Sequence, residues 1–355
     1  MLVASGRCIY HDDAPFTFHC GAVLSGLTQV YETFGQLNAA RDNVVLVHHA
    51  LSTDSHVMAT AADPTPGWWQ DVVGPGKPLD TERYYIICIN NLGSCFGSTG
   101  PTSIDPSSGK AYGASFPTLD LTDIVQAQRR LLAHLGITQL AAIIGPSMGA
   151  MISLIWAILY PDMVHKVLLI SSCYRAHPTN IAIRCIQREM ITLDPSWAGG
   201  GKPDEAQAGF MLARKFGLVM YRSQEELNTR FLSVPSTSEL ISGINDYLQY
   251  NAQKFIQHFA VGSYMVLTQA MDTFDVTALG DEPFAAIQAN IGVISASSDS
   301  LYPPYQQQEI VQALTRAGVT CHYHLHTTIH GHDAFLISEA GMAPHIAHFL
   351  ETGQL

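Results

Sequence analysis

The pentapeptide Gly145-Pro146-Ser147-Met148-Gly149 sets a serine between small residues, the G-x-S-x-G spacing of a hydroxyl nucleophile held on a sharp turn. Small flanking residues let the chain double back, so the Ser147 hydroxyl stands clear of its own backbone. The next amide, that of Met148, then sits at a helix start, where an N–H can face a developing oxyanion. A serine needs an imidazole base to become nucleophilic, and the imidazole needs an acid to orient it. Asp299 ends the run Ile291–Ser298, and His332 follows the strand-like run Cys321–Thr327, giving the chain order serine, acid, histidine. Singly, the three read as a glycine turn, a turn aspartate and a solvated histidine. Jointly, each just past an apolar run, they point to a nucleophile, its orienting acid and its base. A second oxyanion donor belongs in an early strand-to-helix loop. Val44–His48 is the early strand, which makes His49-Ala50-Leu51-Ser52 that loop and the Leu51 amide the candidate donor.

The elements able to position these groups appear as a rhythm of short apolar, β-branched runs separated by stretches of helical spacing. Strands are expected at Val44–His48, Tyr84–Ile89, Ala141–Ile144, Lys166–Ile170, Ile291–Ala296 and His322–His326. Between Asp120 and Leu135 the apolar positions Leu121, Ile124, Val125, Leu132 and Leu135 form one helical face, interrupted only by Gln128. Met151–Tyr160 reads as a buried helix stopped by Pro161. Strands apolar on both sides require cover on both faces of a mostly parallel sheet, so the expected architecture is a three-layer α/β/α sandwich with helices on each side. Strand-like runs vanish over residues 174–280, where helical spacing takes over. That segment is expected to be a helical lid inserted into a core formed by residues 1–173 and 281–355, with Gly199-Gly200-Gly201 as a loose turn and a further break at Pro235-Ser236-Thr237-Ser238. The His48-His49 pair and the alternation His322-x-His324-x-His326 are open to a structural or a metal-binding reading. No acidic residue completes a ligand spacing beside them, and no metal site is expected.

Composition narrows the function class. The 355 residues are 47% hydrophobic and 14% charged, enough apolar surface for a packed core. Eighteen basic against 30 acidic residues leave a net charge of −12, the wrong sign for general attraction to a phosphate backbone, so nucleic acid is not an expected partner. Met1–Tyr10 carries one arginine and no sustained apolar run, which argues against a secretory leader. The uncharged stretch from Gly136 to Tyr160 is long enough to raise a membrane span, but Gly145, Pro146, Ser147 and Gly149 break its centre. Seven cysteines without a C-x-x-C pair fit a reducing, cytoplasmic setting.

Several stretches resemble the homoserine O-acetyltransferases of methionine biosynthesis. They are His48-His49-Ala50-Leu51 with Asp54-Ser55-His56, the segment Asn91–Pro101, the Ser147 elbow, Tyr221-Arg222-Ser223, Ser298–Pro304 and Gly331–Leu336. The resemblance runs from about residue 15 to the C-terminus, and Gly93–Pro101 is its most specific part. It implies an α/β-hydrolase fold, a serine acyl-enzyme, acetyl-CoA and L-homoserine as substrates, no prosthetic group, and a homodimer. It further implies Arg222 as the partner of the acceptor's carboxylate and Asp333 as the partner of its ammonium. A surface salt bridge to Glu225 or Glu226, and a helix cap, are the ordinary alternatives for these two residues. Departures from the family pattern are Pro146 and Ala150 in the elbow, Ser52-Thr53 in the early loop, and Ala260-Val261-Gly262-Ser263-Tyr264 where the family carries Asp-Ala-Asn-Ser-Tyr. Succinyl-transferring members tend to hold arginine two residues beyond the acid; Leu301 stands there and favours acetyl. Transfer to serine, transfer of succinyl, hydrolysis of the acyl-enzyme, and a catalytically inactive binding protein are the competing readings.

Overall fold

The computed structural model describes residues 6–202 and 204–355. The leader reading at Met1–Tyr10 therefore lies partly outside the described residues. Eight strands form the central sheet: β1 (Gly6–Asp12), β2 (Leu27–Phe34), β3 (Val44–Val47), β4 (Tyr85–Ile89), β5 (Ala142–Pro146), β6 (Lys166–Ile170), β7 (Asn290–Ala296) and β8 (Cys321–His326). Their spatial order is β1-β2-β4-β3-β5-β6-β7-β8. The pairs β1/β2 and β2/β4 are antiparallel, and every pair from β4/β3 to β7/β8 is parallel. The six expected strands are all present within two residues at either end. The antiparallel pair β1/β2 adds an edge that the crossover rhythm does not announce.

Side chains along each parallel strand divide between two cores. Val44, Leu46, Ile143, Val167, Leu169, Ile291 and Val293 face one, with α1 (Leu121–His134), α2 (Met148–Leu159) and α8 (Pro304–Arg316). Val45, Val47, Ala142, Ile144, Leu168, Ile170 and Ile294 face the other. Helices lie on both faces as expected, though the second carries less helix than the first. The second face is covered by α9 (Ala343–Thr352) together with the irregular segment that contributes Val57, Trp69, Val72, Val73 and Leu79. A non-helical cover needs its own polar anchors, and one is the Trp69 indole N–H, which donates to the Phe335 carbonyl at 2.8 Å.

Among the described residues five α-helices run between β6 and β7: α3 (Pro178–Thr192), α4 (Gln207–Tyr221), α5 (Gln224–Phe231), α6 (Thr237–Ile256) and α7 (Val261–Asp272). The Gly199–Gly201 turn is close-packed, contrary to the loose turn expected. A Cβ on Gly200 would lie 2.5 Å from Gly262 Cα, and one on Gly199 would lie 2.9 Å from Ala114 Cβ. The Glu205 carboxylate accepts the amides of Ala198, Gly200 and Lys202 at 3.1, 2.8 and 3.0 Å. Glycine is needed because two backbones meet there. Among the described residues no helix is long and apolar enough to cross a membrane.

Candidate active site

Ser147 links the end of β5 to the start of α2 with φ 54° and ψ −121°, a left-handed backbone that few non-glycine residues adopt. The flanking glycines make this turn possible. A Cβ on Gly145 would come within 2.2 Å of the Gly149 carbonyl, and one on Gly149 within 2.3 Å of the His48 carbonyl. The serine amide donates to Ile170 at 2.9 Å, and the Ser172 hydroxyl donates to the serine carbonyl at 2.9 Å. Strand β6 thus braces the turn from the side. Ala150 is buried in the first turn of α2.

Three groups separated in sequence meet at this turn. His332 Nε2 lies 2.9 Å from Ser147 Oγ, and His332 Nδ1 lies 2.8 Å from Asp299 Oδ2. The other oxygen of Asp299 accepts the amides of Leu301 and Tyr302 at 2.9 and 2.8 Å. Nδ1 therefore carries a proton toward the carboxylate, and Nε2 turns a lone pair toward the hydroxyl. Burial disfavours the charged imidazole, yet the neighbouring Asp299 carboxylate, its hydrogen bond and Asp333 outweigh burial and raise the His332 pKa above 6.5. Such an arrangement can take the proton of a serine hydroxyl and return it to a leaving group.

Ser147 and His332 lie at the floor of a cleft walled by Ala50, Leu51, Ser52, Ile183, Arg184, Gln187, Tyr221, Met271, Leu301, Tyr302, Asp333, Phe335 and Leu336. Leu51 borders the serine from the β3 loop, and Met148 opens α2 directly after it. The loop that carries Leu51 is fixed by His49, whose Nδ1–H donates to the Ala50 carbonyl at 2.8 Å while Nε2 accepts the Asn91 amide at 3.1 Å. His48 bonds Ser153 Oγ at 2.8 Å and Gln128 Oε1 at 3.0 Å, and the same Gln128 oxygen accepts the Trp156 indole N–H at 2.8 Å. Both nitrogens of each ring are engaged, so the His48-His49 pair is structural. Gln128 interrupts its apolar helix face because it joins β3, α1 and α2 in one buried network.

Other family-like stretches also serve as scaffold. His56 donates to Glu32 at 2.9 Å and to the Thr65 carbonyl at 2.7 Å, tying the early loop to β2. In the Asn91–Pro101 segment, the Ser98 hydroxyl accepts from Val30 N at 3.0 Å and donates to the Asn90 carbonyl at 2.6 Å.

Arg222 and Asp333 face each other, with Nε 3.3 Å from Oδ2. Arg222 also donates to Glu226 at 2.9 Å, one helical turn ahead. The guanidinium thus links the junction of α4 and α5 to the segment that bears His332. The Ala260–Tyr264 departure lies at the start of α7, where the Ala260 amide donates to Cys95 Sγ at 3.3 Å. The sequence reading missed Arg184. It enters the cleft wall from α3 and is held by Asp272 at 2.6 Å and Tyr302 Oη at 3.2 Å. The available signal was the helical stripe Asn180, Ile183, Arg184, Gln187, Ile191, whose polar members are buried.

Residues 43–338 match the α/β hydrolase fold family. A homoserine O-acetyltransferase of Moorella thermoacetica is 42% identical over 344 residues, covering 93% of this chain and 92% of its own. The chain belongs to the homoserine O-acetyltransferase family of α/β-hydrolases. Within reach of the family is also a serine O-succinyltransferase of Litchfieldella anticariensis, 40% identical over 356 residues that cover 95% of this chain and 96% of its own. Among solved structures, the esterase E22 L374D mutant superposes with a TM-score of 0.89 at 28% identity, covering 99% of this chain and 100% of its own. The family fold thus accommodates acetyl transfer, succinyl transfer and ester hydrolysis.

Proposed function

We propose that this protein is an acyltransferase that moves acetyl from acetyl-CoA to the hydroxyl of L-homoserine, a step of methionine biosynthesis. The observation that carries the reading is the unbroken relay Ser147–His332–Asp299 at the floor of a cleft walled by lid helices. In the first half-reaction His332 Nε2 takes the Ser147 proton as Oγ attacks the thioester carbonyl. The Leu51 and Met148 amides hold the oxyanion, and the proton passes to the departing thiolate of coenzyme A. Homoserine then enters, His332 takes its hydroxyl proton, and the new ester leaves as the proton returns to Ser147 Oγ. Arg222 receives the acceptor's carboxylate and Asp333 its ammonium, so the zwitterion takes the place of the Arg222–Asp333 pair. The Leu301 side chain gives the acyl site an apolar wall suited to a methyl group.

A second reading, succinyl transfer to serine, is favoured by Arg184, a cation in the cleft wall with Asp272 as its partner. A matrix of acetyl-CoA and succinyl-CoA against homoserine, serine and water separates these. Dominant acetyl-homoserine formation supports the proposal. Dominant succinyl-serine formation, or acetate release that acceptor does not suppress, overturns it. We further infer a cytoplasmic homodimer, supported by the family resemblance and by Leu212, Val219, Ile241 and Tyr250, exposed apolar residues on α4 and α6. Sedimentation at assay concentration checks the dimer.

A further inference from the structure

Strand β8 ends the sheet and carries His324 and His326 at alternate positions, on one side of the strand. Helix α9 brings a third imidazole to them. The ring of His345 lies against that of His324, with centroids 3.9 Å apart and planes tilted by 32°, and its centroid is 5.4 Å from that of His326. One nitrogen from each of the three rings falls within 4.8 Å of the others. Tetrahedral coordination by three imidazoles, with metal–nitrogen bonds of about 2.0–2.1 Å, sets nitrogen–nitrogen separations of about 3.4 Å. The gap closes by small rotations of His324 and His345, which are only half-buried.

We propose that His324, His326 and His345 form a binding site for a zinc-class divalent transition metal, built from none of the acyl-transfer residues. A further observation agrees with it. His326 Nε2 donates to the Ala340 carbonyl, which fixes the tautomer and leaves Nδ1 as the ligand atom; ligating histidines are commonly anchored in this way through their second nitrogen. Three imidazoles with no carboxylate suit zinc, nickel or copper better than magnesium or calcium. The His326–His345 interval contains the turn Gly331–Leu336 that bears His332 and Asp333. A bound ion would therefore clasp both ends of that segment to the sheet edge.

Equilibrium dialysis of the full chain against Zn²⁺, with metal analysis of the protein, tests this. The expected result is one zinc per chain, with affinity reduced by about 100-fold in His345→Ala and in His324→Ala and unchanged in His19→Ala, an exposed histidine elsewhere. Zinc is also expected to raise the melting temperature of the wild type and not that of the two site variants. Should His345→Ala fail to fold, His324→Ala on the edge strand carries the same comparison. Absence of saturable zinc binding by the wild type, or binding undiminished in the site variants, overturns the proposal.

Discussion

At the scale of single residues, the assignment makes separable demands on the two half-reactions. Ser147→Ala should reduce turnover by about 10⁴-fold or more with the fold intact, and mass spectrometry after mixing with acetyl-CoA should find no acetylated chain. Retained turnover would remove Ser147 from the chemistry. Only neutral His332 can accept the serine proton, and its pKa lies above 6.5 because two carboxylates outweigh its burial. The rate of enzyme acetylation should therefore fall as pH drops through a midpoint above 6.5, and Asp333→Asn should move that midpoint to lower pH. A midpoint unmoved by Asp333→Asn would mean that this carboxylate does not act on the imidazole. Arg222→Ala should raise the homoserine KM by about tenfold or more while acetylation by acetyl-CoA proceeds at its former rate. Equal loss in both halves would make Arg222 a structural tie between lid and core.

At the scale of elements, the turn that presents the nucleophile depends on the absence of side chains beside it. Gly149→Ala would drive a Cβ into the His48 carbonyl, backbone against backbone, and should destabilise the fold by about 3 kcal/mol, measured by denaturant unfolding. His48 behind that turn gives a pH signature. Burial lowers its pKa to about 3, so between pH 6.5 and 3 the unfolded chain binds a proton that the folded chain refuses. Stability should decline across that window, and His48→Gln should flatten the decline. The strands and helices around the turn were legible from sequence because their patterns are local: β-branched runs for the strands, a single apolar face for α1, and small residues on either side of Ser147. The order of Ser147, Asp299 and His332 was legible too, since each follows a strand. What stayed hidden depends on distant partners. Arg184 is a wall residue only because α3 folds over the sheet and Asp272 neutralises it, and the Gly199–Gly201 turn is rigid only because Gly262 and Ala114 press on it. His345 gives no hint in its own neighbourhood that it packs against His324.

At the scale of the whole molecule, helices α3–α7 come between β6 and β7, so the chain leaves the sheet after presenting Ser147 and returns to it before presenting Asp299 and His332. The sheet, continuous across β5, β6, β7 and β8, reunites them. Within the lid, the link between α5 and α6 runs through Leu232, Ser233, Pro235 and Ser236, all exposed. A protease nick there should leave a species that migrates intact under native conditions and keeps most of its turnover, because the sheet pairs stay made. After denaturation and separation, neither piece can be acylated and deacylated by itself: one holds the hydroxyl without its base, the other the base without a hydroxyl. Recovery of activity on mixing then becomes a direct readout of how well β7 and β8 find the remaining six strands, and makes this chain a natural starting point for a split-enzyme complementation reporter.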